Sequence, residues 1–219
     1  VDDPDYVGLP VGGISGGVGN TVQTQQVGQP QFSFLVYEQV YDESGNPLEG
    51  VYVDQNGDGV INDSDKRIFN NPNPDYLFGL SSYMTFHQNW DFSFTMRASL
   101  GNYVYNNVAS ANGVYAGVWE LNSLRNAHSS VLDTDFREQQ FWSDYYVQDA
   151  SFLRMDNVAL GYSFSNLNEG NTRLRIYSTV QNVFVLTPYE GLDPEINGGI
   201  DNNFYPRPRT FLLGLNLNF

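Results

Sequence analysis

Asp54 to Asp65, DQNGDGVINDSD, has the residue types and spacing to bind a metal. Asp54, Asn56 and Asp58 fall at positions 1, 3 and 5 of a 12-residue calcium loop, Gly59 makes the sharp turn at 6, and Val60 offers its carbonyl at 7. Asn62 adds an oxygen, directly or through water, and Asp65 closes position 12. Hard oxygen donors in this order suit Ca²⁺, although Asp65 is shorter than the usual Glu, which makes two-oxygen closure weaker. The same Asp, Asn and Gly residues also form turns without a metal. If filled, the site is structural, because no catalytic group lies near it in the sequence.

Other chemical signals are weaker. Gly13-Ile14-Ser15-Gly16-Gly17 matches the nucleophile-elbow spacing, but that motif needs a strand before it and a helix after it, and neither is predicted here. His87 and His128 are the two histidines; His87 falls in a predicted tight turn and His128 in a long loop. The pair Asp133 and Asp135 reads as an acidic surface loop rather than a glycosidase dyad. No enzyme is predicted. The absence of cysteine excludes disulfides and thiol chemistry, and a formal charge of -15 argues against a nucleic-acid partner.

The elements that would carry these residues are strands. Aromatic residues make up 15% of the chain and Gly numbers 21, a mixture favouring strands and turns. Residues 1–29 read as a Gly-rich connector, and 30–219 as strands joined by turns. In NWDFSFTMRASL, Trp90, Phe92, Phe94, Met96, Ala98 and Leu100 share one face, while Asp91, Ser93, Thr95, Arg97 and Ser99 share the other. The same alternation runs through 76–86, 151–164, 173–184 and 210–219, and QFSFLVYEQV (31–40) is a sixth such stretch, with Phe32, Phe34, Val36 and Val40 on one side. Each is close to the ~9–11 residues that a tilted strand needs to cross a bilayer.

Connections alternate in length. His87–Asn89 and Ser165–Gly170 are tight turns, whereas about 41–75, 102–150 and 185–207 are long loops holding 18 of the 25 acidic residues. Short turns at one end and long, charged loops at the other are the layout of an outer-membrane barrel, whose short turns face the periplasm. A soluble sandwich explains alternation equally well. The aromatics Phe86, Trp90, Tyr162, Phe164 and Phe219 at the short-turn ends favour lipid, where an interfacial girdle belongs. The second loop adds Tyr103, Tyr105, Tyr115, Trp119, Trp142, Tyr145 and Tyr146, which suit either loop packing or stacking on sugar rings or a protein partner.

Four strings resemble the C-terminal part of the SusC/RagA-type TonB-dependent transporters of Bacteroidota: DQNGDGVINDSDKRIFNNPNPDYLFGL (54–80), DASFLRMDNVALGYSF (149–164), QNVFVLTPYEGLDPE (181–195) and YPRPRTFLLGLNLNF (205–219). The resemblance implies an all-β, antiparallel, up-and-down transmembrane barrel segment, the last strands of a roughly 22-stranded barrel. It implies an outer-membrane location and partners in the remainder of the barrel and its plug, a SusD-like surface lipoprotein, TonB reached through the N-terminal part, and membrane lipid. The cargo would be oligosaccharides or peptides. Arg97, Arg173, Arg175, Tyr177 and Gln181 would line the lumen, and Phe219 would be the insertion signal. The alternative class is a secreted or surface calcium-binding β-sandwich or adhesin module built around Asp54–Asp65.

Overall fold

The computed structural model describes residues 8–116, 118, 126–167 (165–167 as backbone only), 172–202 and 205–219. In chain order the strands are β1 Leu9–Gly13, β2 Thr21–Gln25, β3 Ser33–Val36, β4 Gln39–Tyr41, β5 Pro47–Tyr52, β6 Arg67–Ile68, β7 Tyr76–Phe86, β8 Trp90–Leu100, β9 Tyr103–Tyr105, β10 Val147–Asp149, β11 Phe152–Leu167, β12 Thr172–Leu186 and β13 Thr210–Asn218. Two short helices, α1 Asn107–Asn112 and α2 Val131–Thr134, interrupt them. Contacts divide the chain into two compact units: Val1–Asn73, Gly101–Ala150 and Tyr189–Tyr205 form the first, and Pro74–Leu100, Ser151–Pro188 and Pro206–Phe219 the second.

The second unit is a single antiparallel sheet ordered β13-β12-β11-β8-β7. Its register aligns the apolar rows: Phe92 pairs with Leu160 and Trp90 with Tyr162, and Ile176 pairs with both Tyr162 and Leu215. Cross-strand partners point to the same side, so these rows merge into one apolar face. Nothing covers it among the described residues: Leu213, Leu215 and Leu217 are 78%, 67% and 56% exposed. A sandwich would bury them. The face is a lipid-facing surface, and the chain is a β-barrel segment.

At the short-turn end the rings touch in sequence. Phe86 stacks on Trp90 at 6.1 Å, Trp90 meets Tyr162 edge-on at 4.8 Å, and Tyr162 meets Phe164 at 4.7 Å. The β7–β8 turn holds His87 and Gln88 at φ of 50° and 62°, and Asn89 Nδ2 donates to the Tyr162 hydroxyl at 3.1 Å. The predicted turn at Ser165–Gly170 falls partly on β11, and its remainder lies outside the described residues. Phe219 follows β13 and is 98% exposed.

Alternation slips within β11. Met155 pairs with Met96 and Asn157 with Thr95, which leaves Asp156 as an extra residue in β11; Phe184 and Gln181 oppose the same pair in β12. Asn182, inside this second irregularity, adopts a left-handed φ of 51°. These bulges keep Leu153 and Met155 on the same face as Val158 and Leu160.

The first unit corrects two expectations. The 31–40 stretch is not a sixth spanning strand: β3 has four residues, β4 three, and Phe34 and Val36 are fully buried. Four residues cannot cross the hydrocarbon layer. The Gly-rich segment is no simple connector either, because β1 and β2 form a hairpin in the sheet β1-β2-β3-β6. Ile14 and Val22 join Phe34, Val36, Tyr105, Ala109, Tyr146 and Val147 in a core. Gly12 is required there: its φ is 71°, and a Cβ would collide with Gln23 and Ile200.

The lipid-facing assignment predicts that Leu215→Arg in the full-length receptor costs about 2–4 kcal/mol of folding into bilayers. Thr85→Arg, on the opposite face beside Asp91, leaves folding unchanged. Urea titration of the receptor in liposomes reads both.

Candidate functional site: the polar face of the sheet and the acidic loop

All five residues expected to face a lumen share the polar side of the sheet. Arg97 lies on β8, and Arg173, Arg175, Tyr177 and Gln181 on β12, with Arg173 and Gln181 exposed. Register and side-chain reach make ion pairs between strands. Arg175 Nε and Nη2 donate to the two oxygens of Asp91 at 2.8 and 2.5 Å. Asp91 is on β8, so the Arg175 side chain must cross β11 to reach it, and it does so over Gly161. A Cβ on Gly161 would sit 2.5 Å from Asp91 Oδ1 and 2.7 Å from Arg175 Nη2. Tyr177 packs on Gly214, its register partner on β13, and the Arg175 guanidinium lies 4.6 Å from the Tyr177 ring centroid.

A second cluster centres on the bulge. Arg97 and Arg154 are directly opposed in register, a like-charge pair that is unfavourable unless each charge is answered. Arg97 Nε donates to both oxygens of Asp156, at 3.0 and 2.9 Å, and Arg154 Nη1 donates to Asn182 Oδ1 at 2.9 Å. Both guanidinium groups also lie over the Phe152 ring, at 5.7 and 5.5 Å. Asn182 Nδ2 donates onward to the Arg207 carbonyl at 2.7 Å, which ties the end of the last connection, just before β13, to β12. Arg154, 1% exposed, Asp156 and Asn182 were missed by sequence reasoning. The signal was there, since Met155-Asp156-Asn157-Val158 breaks the two-residue period.

The 54–65 loop folds through its own hydrogen bonds. Asp54 accepts from the Gly57 and Gly59 amides at 2.7 and 2.8 Å, and Asp58 from the Val60 amide at 2.8 Å. Asn62 Nδ2 donates to the Val60 carbonyl at 3.1 Å. Asp65, fully buried, accepts from the Gln55 and Asn62 amides at 3.0 and 2.8 Å and completes a capping box with Asn62. Among the described residues no group of three acidic or histidine side chains converges as a metal set. The Gly59 amide chiefly holds the Asp54 carboxyl below the usual carboxylate range, and Lys66 does the same for Asp63. Of the second-loop aromatics, Tyr105 and Tyr146 are core residues, and Trp119 lies outside the described residues.

A sheet with one oily, girdled face and one charged face defines a segment of a transmembrane β-barrel. No protein-family model matches the chain. The TonB-dependent receptor SusC of Bacteroides thetaiotaomicron is 47% identical over the whole chain, and receptor P3 of Formosa agariphila is 30% identical over 80% of it. The chain spans about one fifth of the length of these relatives (22% and 19%). Solved structures of the RagAB peptide transporter and of the RagAB importer in its closed-closed state align over 92% of the chain and 24% of theirs. Their TM-scores are 0.70 and 0.68 at 21% and 22% identity, a likeness of fold. The chain belongs to the SusC/RagA-type TonB-dependent receptors, outer-membrane proteins that are not enzymes.

Two outcomes follow from this geometry. In a double-mutant cycle, Gly161→Ala and Asp91→Asn couple by about 1 kcal/mol, because each disrupts the same ion pair; urea unfolding of the full-length receptor measures it. A depressed carboxyl stabilises the fold above its unfolded pKa and loses that contribution as pH falls through the folded value. The Gly59 amide NMR shift should therefore titrate with a midpoint below the ordinary Asp value of about 3.9.

Proposed function

We propose that the chain forms part of the wall and outer loops of a TonB-dependent transporter that imports oligosaccharides or peptides together with a SusD-like surface lipoprotein. The uncovered apolar face of β7, β8, β11, β12 and β13 carries the reading, since it belongs in lipid. The relatives' names and the RagAB peptide-importer fold support it. In this reading Arg97, Arg173, Arg175, Tyr177 and Gln181 look into the lumen, the two ion pairs stiffen the wall, and exposed Arg173 and Gln181 remain for plug or cargo. The wall continues at β7 and β13, whose outer edges meet other strands of the same barrel.

The test is uptake by cells carrying the full-length receptor, with fluorescent oligosaccharides and peptides offered in turn. Accumulation of at least one class that depends on both TonB and the lipoprotein is the expected result. Equal uptake in cells lacking the receptor overturns the proposal.

Calcium at the 54–65 loop belongs to the same proposal as a structural group. Asp54, Asn56, Asp58, Val60 and Asn62 would hold it at the surface, with buried Asp65 closing the loop from within. Carboxylate oxygens that accept one backbone N–H keep a second lone pair for a cation. Millimolar Ca²⁺ should raise the unfolding temperature of the chelator-treated receptor, and Asp54→Ala with Asp58→Ala should abolish the increase. An unchanged temperature assigns the loop to hydrogen bonding alone.

A further inference from the structure

Four of the six arginines in the second unit, Arg97, Arg154, Arg173 and Arg175, belong to the polar face of the sheet. Arg207 and Arg209 stand apart. They precede β13 at its long-loop end and continue the parity of Phe211, Leu213, Leu215 and Leu217, the lipid-facing row. The apolar rows of β7, β8, β11, β12 and β13 hold no charged residue, so these two arginines are the first charges met on climbing the oily face. Both residues are exposed.

Their height follows from strand geometry. A strand that rises ~3.3 Å per residue and tilts by ~40° climbs about 2.5 Å per residue along the membrane normal. Arg209 comes ten residues before Phe219, which puts it about 25 Å above the short-turn end, the full height of the apolar band of such barrels. Arg207 lies about 5 Å higher by the same rise. An arginine in a lipid row is tolerated at that level and not deeper. The short turns face the periplasm, so both guanidinium groups stand at the headgroup level of the outer leaflet, on the side turned to lipid.

The segment is also held for presentation. Asn182 clasps it twice: its Nδ2 donates to the Arg207 carbonyl at 2.7 Å, and its own carbonyl accepts from Arg209 Nε at 3.4 Å. Pro206 and Pro208 fix their own φ, and Pro208 restrains Arg207 to an extended backbone, so little conformational freedom is left to lose on binding. Beside the pair, Phe211 and Leu186 offer apolar surface at 72% and 60% exposure. Two fixed cations above exposed hydrocarbon-compatible surface match an amphiphile whose headgroup carries close to two negative charges. A phosphate monoester does so, whereas a phosphodiester carries one.

We propose that Arg207 and Arg209 form a binding site for the phosphate monoester of an outer-leaflet glycolipid, whose acyl chains lie along the β12–β13 face. The guanidinium forks donate paired hydrogen bonds to the phosphate oxygens. The site rests on the lipid-facing assignment of the sheet and is independent of the cargo.

Native mass spectrometry of the full-length receptor, stripped of lipid in detergent, tests it with three probes: monophosphoryl lipid A, the same lipid A with its phosphate removed, and phosphatidylglycerol. Each basic side chain near an anionic headgroup contributes about fivefold in affinity, so Arg207→Gln with Arg209→Gln should weaken binding of the phosphorylated glycolipid about 30-fold. Removing the phosphate should weaken binding to the unaltered receptor as much, and phosphatidylglycerol should bind about fivefold less tightly than monophosphoryl lipid A. Arg207→Lys with Arg209→Lys keeps the charge and should retain most of the affinity, which a loss of folding would not allow. Should the glutamine variant fail to fold, the comparison of phosphorylated with phosphate-free glycolipid on the unaltered receptor decides. Glycolipid binding unchanged by the glutamine pair, phosphate-free glycolipid bound as tightly as the phosphorylated form, or phosphatidylglycerol bound as tightly as lipid A overturns the site. TonB-dependent uptake measured in parallel separates this idea from the transport reading: if uptake persists while the lipid result fails, only the glycolipid site falls.

Discussion

Hydrocarbon offers no hydrogen-bond partner to a peptide group, and that constraint orders everything else in the sheet. Each backbone N–H and C=O at membrane depth must find another strand, so spanning segments can only be long, paired and in register. Once paired, side chains have two directions. The outer row is selected by lipid, which accepts Leu, Phe and Val and rejects charge. The other row can hold arginines and carboxylates, provided that they answer one another in a medium less polar than bulk water. Gly161 shows how closely the two demands mesh: removing one side chain opens the path by which Arg175 reaches a carboxylate two strands away.

This division also explains which parts of the fold could be read from the chain. Five spanning strands were legible because period-two alternation over about ten residues has few other causes, and Trp90 to Leu100 displays it without a break. The 31–40 stretch was misread because Phe34 and Val36 alternate in the same way when they are buried in a small core as when they face lipid. Alternation reports that one side is apolar, not what lies against it. Length separates the two only in the folded chain, where breaks at Phe32, with φ of 62°, and near Tyr37–Glu38 shorten that strand. The Gly-rich start was misjudged for a related reason: glycines in tight hairpins look, in composition, like those of a linker.

Site residues were legible only in part. The polar-face arginines follow from parity, but their partners depend on register, which no local pattern reveals. Asp156 pairs with Arg97 only because the bulge presents it there, and Asn182 reaches Arg154 and Arg207 through a left-handed turn of its own backbone. The Asp54–Asp65 loop was legible in its turns, with Gly59 at φ of 82°, while the burial of Asp65 was not. Acidic residues that recur at turn spacings identify a folded loop; which oxygens point outward is decided by tertiary packing.

The ring series Phe86, Trp90, Tyr162 and Phe164 joins three adjacent strands by direct contact. Amphipathic rings prefer the headgroup level, so the linked set fixes a common depth, and no single strand can slide vertically without dragging its neighbours. In a bilayer thinner or thicker than the sheet, the mismatch must then be absorbed by stretching or compressing the surrounding acyl chains, making this stretch of wall a local template for membrane thickness.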